Sequence, residues 1–167
     1  SILTLSTFES GTRAEESTQR ATKFARNNDI NPFIDLYEKV LLPSESWEDY
    51  NLVGISIVGI SQILPGLTLA RLLKGKYPHL HITLGGPIFS VNAHQLMDHP
   101  KFFEEFCHSI VTFEGEEPLH RLLTTLKNGS TLKDVPNLLF YEDGKVELNE
   151  ERVELRFEEM PPPTFDG

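Results

Sequence analysis

Small and polar residues surround the end of one short apolar stretch of this chain, where a ligand could bind. The stretch is 52–58; Ser56 lies within it, and Gly59, Ser61 and Gln62 follow it. A hydroxyl at such a place could pair with a buried polar atom of a ligand, which would otherwise stay unpaired at a cost of about 1–3 kcal/mol. Gln62 could bond an amide in the same way. These residues favour a binding module over a self-contained catalyst.

A glycine pair follows a second apolar stretch. The stretch is 80–84, and Gly85, Gly86 and Pro87 come directly after it. In open α/β sheets, ligands bind in the crevice outside the carboxyl ends of the strands, and glycine lets backbone approach a ligand closely. We therefore expect a deep slot for a bulky ligand here, with any side chain added at Gly86 projecting into it. The alternative is that the glycines only make tight turns and that Ser56 bonds its own backbone.

Three glutamates follow a third apolar stretch, 109–113. Glu114, Glu116 and Glu117 could be paired carboxylates for acid–base chemistry. However, Glu116 and Glu117 begin a predicted helix, whose positive end they would stabilise. We therefore expect the loop at Glu114, Gly115 and Glu116 to form the far wall of the slot.

Other patterns typical of known chemistry are incomplete. The segment 54–61 has the spacing of a phosphate-binding loop, but Ile60 stands where the lysine is required. The six histidines are scattered, so they do not predict a metal site. Cys107 follows Phe106 in an apolar stretch, which predicts a buried and inert thiol. No catalytic or metal-ligating residue is predicted.

Charge and composition exclude several classes of function. The net charge of −10 argues against nucleic acid and anionic membrane surfaces as partners, because both select for basic patches. No apolar run approaches the roughly 18 residues of a membrane-spanning helix. The single cysteine excludes an internal disulfide and fits a reducing compartment. We expect a cytoplasmic protein that binds neither nucleic acid nor membrane.

Strands and helices alternate along the chain and would position these residues. The predicted strands are 2–6, 52–58, 80–84 and 109–113, and 52–58 is apolar enough for burial on both faces. The predicted helices are 12–27, 33–42, 64–77, 92–97, 102–106 and 117–127. The interval of roughly 30 residues between strands is typical of βαβ units. The predicted fold is a doubly wound, mostly parallel sheet of about five strands with helices on both faces.

The last third of the chain differs in character. Residues 138–148 predict an appended β-hairpin with Asp143 and Gly144 in its turn. The predicted organisation is a main domain at 1–136, the hairpin at 137–149, and an acidic, proline-rich linker at 150–167. We expect that linker to lead to a further, C-terminal domain.

Four segments of the chain together carry a family resemblance: Val53–Ser56, Leu84–Pro87, Phe113–Leu119 and Pro161–Asp166. They are similar to the amino-terminal, Rossmann- or flavodoxin-like cobalamin-binding domain of radical SAM proteins. The resemblance implies a radical SAM enzyme whose C-terminal barrel would be the domain's partner. An iron–sulfur cluster and S-adenosylmethionine would bind in that barrel, because one cysteine cannot hold a cluster. Residues 1–167 would then not be catalytic alone.

The first loop departs from the family pattern Asp-x-His-x-x-Gly. Ser6 and Phe8 stand at the Asp and His positions, and phenylalanine cannot ligate cobalt. The resemblance therefore implies cobalamin held without a lower-axial histidine. Its implied binding residues are Phe8, Glu9, Ser56, Val58, Gly59, Ser61, Gln62, Gly85, Gly86, Pro87, Glu114, Gly115 and Glu116. The alternative is a cofactor-free scaffold or substrate-recognition domain of a radical SAM protein.

Overall fold

The computed structural model describes residues 18–149. The predicted strand 2–6, the first loop with Phe8 and Glu9, and the predicted linker 150–167 lie outside the described residues. The described part is an α/β fold built on one five-stranded sheet.

The strands lie side by side in the order of the sequence. They are β1 (Leu52–Ser56), β2 (His81–Gly85), β3 (Ser109–Val111), β4 (Leu138–Glu142) and β5 (Lys145–Leu148). The first three are parallel, whereas β4 pairs antiparallel with β3 and β5 antiparallel with β4. The sheet is therefore parallel over its first three strands only.

The predicted hairpin is confirmed, and it belongs to the same sheet instead of standing apart from it. Its turn residues Asp143 and Gly144 have φ angles of 51° and 80°. Positive φ at both central positions is what a tight turn between right-twisted strands requires, and Asp-Gly tolerates it. The turn therefore fixes the register of β4 and β5.

Helices connect and cover the strands. They are α1 (Thr18–Arg26), α2 (Pro32–Leu36), α3 (Leu42–Ser44), α4 (Ile63–Lys76), α5 (Pro87–Leu96), α6 (Pro100–Phe106) and α7 (Glu116–Asn128). The segment 33–42 is helical, as predicted, because α2 continues through a π-helix at Tyr37–Leu41 into α3. At its start Asn31 accepts a side-chain hydrogen bond from the Phe33 amide, and Pro32 begins α2.

The two faces of the sheet are covered unequally. Alternate strand residues, such as Ile82, Leu84 and Leu139, join a large core with α1, α4, α5 and α6. The opposite face holds a smaller core in which Leu122 of α7 packs against residues of β3 and β4, such as Phe140. Because α7 lies over β3 and β4, the carboxyl ends of β1 and β2 stay open on its face.

The expectation that β1 is buried on both faces is wrong for the described residues. Val53 and Ile55 are half-buried, and Gly54 and Ser56 are exposed. β1 is partly exposed because, within residues 18–149, it pairs only with β2 and forms an edge of the sheet.

Two histidines lie together where β2 and β3 begin. Their ring centroids, those of His81 and His108, are 5.1 Å apart. The Ile82 amide donates to Nδ1 of His108 at 2.9 Å, so this nitrogen must be unprotonated. His81 Nε2 lies 2.8 Å from the Ser109 hydroxyl, which itself donates to Thr83. Burial, the other histidine and Lys74 lower the pKa of His81 to about 3. Burial and Lys74 lower the pKa of His108 to about 4.

These pKa values predict that acid weakens the fold. Both histidines are neutral in the folded chain and take up protons on unfolding below pH 6.5, their ordinary pKa. Their contribution is therefore complete above pH 6.5 and is lost as the pH falls towards 4. Because both rings keep some contact with solvent, we expect a loss of about 2 kcal/mol in the free energy of unfolding.

Urea unfolding between pH 7 and pH 4 measures this effect. His108→Gln is the informative variant, because its amide oxygen can accept from the Ile82 amide without titrating. It should lose less stability on acidification than the wild type. Equal losses would show that His108 does not contribute.

Candidate functional site

A cavity of about 450 Å³ lies at the carboxyl ends of β1, β2 and β3, beside α7. Its lining residues are Gly54, Ile55, Ser56, Thr83, Leu84, Gly85, Gly86, Val111, Phe113, Gly115, Glu116 and Leu119. It occupies the crevice in which ligands of open α/β sheets bind. We call this cavity the slot.

The register of the strands gives the slot a floor of small residues. Gly54 lies beside Thr83, and Ser56 lies beside Gly85. These residues share the face that α7 covers only in part. The floor is therefore nearly flat, with Leu119 of α7 as an apolar wall.

The fold itself does not require glycine at two of these floor positions. A Cβ atom at Gly54 would lie 3.7 Å from Cγ2 of Thr83, and one at Gly85 would lie 3.6 Å from the Val111 carbonyl oxygen. Both are ordinary van der Waals distances. What the missing side chains provide at Gly54 and Gly85 is open space in the slot.

Gly86 differs from both, and the expectation for it is wrong. Its φ is 114°, and a Cβ atom would stand 2.2 Å from the carbonyl oxygen of Ile57. An added side chain would therefore collide with backbone at the end of β1 instead of projecting into the slot. Gly86 lines the slot with its backbone and is needed by the fold.

The slot offers a free hydroxyl and a carboxylate. The exposed Ser56 side chain makes no hydrogen bond within residues 18–149, so it does not bond its own backbone there. The Thr83 hydroxyl donates to the Ser109 carbonyl, which leaves the Thr83 methyl group near Gly54. Glu116, in the first turn of α7, lies at the rim of the slot.

Phe113 stands at the rim in an unusual backbone conformation. Its φ is 58°, in the left-handed region that costs a non-glycine residue on the order of 1 kcal/mol or more. The Ser90 hydroxyl of α5 accepts a hydrogen bond of 2.7 Å from its amide. The side chain is 49% exposed. Strained residues of this kind cluster at ligand sites, so Phe113 is a candidate contact that sequence reasoning missed.

The structure brings together part of the predicted set. The predicted residues that line the slot are Ser56, Gly85, Gly86, Gly115 and Glu116. The lining residues that sequence reasoning missed are Gly54, Ile55, Thr83, Leu84, Val111, Phe113 and Leu119. An alignment of the two strands could have found Gly54 and Thr83. Gly54 lies two residues before Ser56, and Thr83 lies two residues before Gly85, which are both predicted site residues.

The loop after β1 does not line the slot. Its predicted site residues are Val58, Gly59, Ser61 and Gln62. The side-chain oxygen of Gln62 accepts hydrogen bonds from the amides of Val58 and Gly59, at 2.7 and 3.2 Å. Gln62 therefore holds its own loop through its side-chain oxygen.

Two further predicted residues lie beside the slot instead of lining it. Pro87 begins α5 and lines an adjoining cavity with Phe113 and Val91. The Glu114 carbonyl oxygen accepts a hydrogen bond of 3.4 Å from the Asn137 side chain. The far wall consequently comes from Gly115, Glu116 and Leu119.

Among the described residues that line the slot there is no histidine and no cysteine. All six histidines lie within the described residues, and none of them lines the slot. Residues 18–149 contain no group of three or more histidine, cysteine, aspartate or glutamate side chains placed to hold a metal ion. Burial raises the pKa of the Cys107 thiol, which agrees with the predicted inert role.

No protein-family model and no curated protein matches this sequence. Among the helices of residues 18–149, none has both the length and the apolar character needed to cross a bilayer.

The contact of Gly86 with Ile57 predicts a large loss of stability on substitution. Gly86→Ala should lower the free energy of unfolding by at least about 2 kcal/mol, because the methyl group meets a backbone oxygen and the φ angle is unfavourable. Gly75→Ala is the matched control, since its Cβ meets nothing within 4 Å in α4. The control should be neutral or slightly stabilising in chemical denaturation. Equal stability of the two variants would contradict this role of Gly86.

Proposed function

We propose that this domain binds cobalamin, with the nucleotide tail of the cofactor in the slot between β1, β2 and α7. The observation that carries the proposal is the floor of small residues, Gly54, Ser56, Thr83 and Gly85, at the carboxyl edge of the sheet. A flat aromatic base needs such a floor together with an apolar wall, and Leu119 supplies the wall. The resemblance to cobalamin-binding domains of radical SAM proteins points to the same ligand.

The residues of the slot fit such a tail chemically. The free Ser56 hydroxyl would pair with a polar atom of the tail, and Gly54 and Gly85 would let it lie against the backbone. Phe113 and Leu119 would contact the apolar parts of the base. When bound, cobalamin supplies cobalt-centred chemistry such as methyl transfer, and the residues named here only bind and orient it.

We propose that cobalamin is held without a lower-axial histidine. Phe8 stands at the histidine position of the family pattern, and none of the six histidines lines the slot. In this proposal the protein is a radical SAM enzyme, and a C-terminal barrel of the same protein uses the cofactor.

We also propose that the complete sheet is doubly wound, with the predicted strand 2–6 beside β1. Within residues 18–149 β1 pairs only with β2, and this supports the arrangement because Val53 and Ile55 are apolar and only half-buried. A further strand would bury them and make β1 a central strand, as its composition predicts.

A second candidate function is a cofactor-free scaffold for another domain. Exposed apolar side chains around the slot favour it: Val58 is 65% exposed, Ile60 64%, Val91 83%, Phe113 49% and Leu119 38%. They lie in the segments that follow β1, β2 and β3, and exposed apolar side chains that form a patch mark interaction sites. A barrel docked on this edge would cover them whether or not cobalamin is bound.

A variant that fills the slot distinguishes cobalamin binding from the scaffold function. Gly54→Val should weaken binding of hydroxocobalamin at least about tenfold, since the new side chain occupies the floor while its Cβ makes only ordinary contacts. Thermal unfolding should show that the variant folds, because valine suits a strand. Absorbance titration of the wild type, Gly54→Val and the control Gly75→Ala measures the affinities.

Unchanged affinity in folded Gly54→Val would place the ligand outside the slot. Failure of the wild-type chain to bind at millimolar hydroxocobalamin would favour the scaffold.

Histidine substitutions test how the cobalt is held. Replacing each of the six histidines by glutamine should leave the absorbance spectrum of the bound cobalamin unchanged, because Phe8 stands at the position of the cobalt-ligating histidine. A changed spectrum in any single variant would show that its histidine ligates the cobalt.

A further inference from the structure

A second cavity, of about 460 Å³, lies between α1 and α6. It is lined by Gln19, Thr22, Lys23, Arg26, His99, Lys101, Phe102 and Glu105. Because α1 and α6 pack on the face of the sheet opposite α7, this cleft is separate from the slot. We call it the cationic cleft.

The charge of the cleft is opposite to that of the whole chain. Three basic side chains, Lys23, Arg26 and Lys101, line it together with the single carboxylate of Glu105. Arg26 binds both oxygens of Glu105, with Nε–Oε1 and Nη2–Oε2 distances of 2.5 and 2.7 Å. The carboxylate is therefore neutralised, and two lysine charges remain in a protein whose net charge is −10.

The two lysines have no carboxylate partner within residues 18–149. Both side chains are exposed, whereas the Glu105 side chain is only 12% exposed. An anion entering the cleft would consequently meet two ammonium groups and one guanidinium group whose position is fixed by its bidentate pair. The hydroxyl of Thr22 and the amide of Gln19 add uncharged donors to the same cleft.

The walls of the cleft are held in place by the core. Phe102, at its base, is 6% exposed and packs against Phe89 and Phe106. On the other side, the Arg71 side chain donates to the Ala25 carbonyl oxygen at 3.0 Å and ties α1 to α4. The basic side chains therefore project from two helices whose relative position does not depend on a ligand.

We propose that the cationic cleft binds a phosphate-bearing small molecule. Two ammonium groups and adjacent uncharged donors match a group that carries two or more negative charges on several oxygens. A phosphoryl or pyrophosphoryl group has this character at neutral pH, whereas a single carboxylate carries only one negative charge. This site does not depend on the function proposed for the slot.

Inorganic pyrophosphate is the probe for this site. Isothermal titration of the chain at low ionic strength should show saturable binding, and Lys23→Gln and Lys101→Gln should each weaken it about fivefold, the effect of one charge pair near 4 Å in water. Glu105→Gln should instead tighten binding, because it frees Arg26 from its carboxylate. Lys145→Gln, in the distant hairpin, is the matched control and should bind as the wild type does.

Three results would overturn the proposal. They are no saturable binding by the wild type, an equal loss in Lys145→Gln, and no gain in folded Glu105→Gln. Sodium chloride at matched ionic strength separates pyrophosphate binding from general screening. Gly54→Val should bind pyrophosphate normally, so failure of the cleft and failure of the slot are distinguishable.

Discussion

The close approach of Gly86 to the carbonyl of Ile57 determines how β1 and β2 end. The Ile57 amide donates to the Gly85 carbonyl oxygen at 2.8 Å. Gly86, which follows Gly85, has a φ of 114° and lies against the Ile57 carbonyl. This contact ends the parallel pairing and sends the chain directly into α5. The slot lies just beside it, because Ser56 and Gly85 are the last paired residues of their strands.

The unequal covering of the sheet leaves a cavity at this edge. α7 places Leu122 over β3 and β4, where it is fully buried with Val111 and Phe140. Towards the ends of β1 and β2 the same helix extends Leu119 and, in its first turn, Glu116. A centrally placed helix would have filled the space above Gly54 and Thr83, and the small residues would then have been close-packed. Here they are the floor of a cavity of about 450 Å³.

Local patterns in the sequence predicted the elements, because periodicity and turn chemistry depend on neighbours along the chain. The strands at 52–56, 81–85 and 109–111 and the Asp143–Gly144 hairpin are examples. Contacts between residues on different strands were harder to predict from local patterns in the sequence. Gly54 was missed because its role follows from register with Thr83. The left-handed Phe113 has no sequence signal, since left-handed backbone is predicted at glycine or asparagine. Gln62 was assigned to a ligand because its bond to the Val58 amide requires the folded loop.

The electrostatics of the slot constrain how a nucleotide can lie in it. Glu116 places a carboxylate at the end formed by α7, while the free hydroxyl of Ser56 lies on β1. A phosphodiester next to Glu116 would meet a like charge in a partly enclosed space, where such repulsion is stronger than in water. In the proposed complex Glu116 would therefore disfavour a phosphate at the α7 end of the slot, and Ser56 would be the polar contact on the β1 side. The positive charge that a free phosphate group would seek lies on the opposite face, in the cationic cleft. The two proposals thus assign different chemistry to the two cavities: a flat, largely apolar group to the slot and a multiply charged anion to the cleft between α1 and α6.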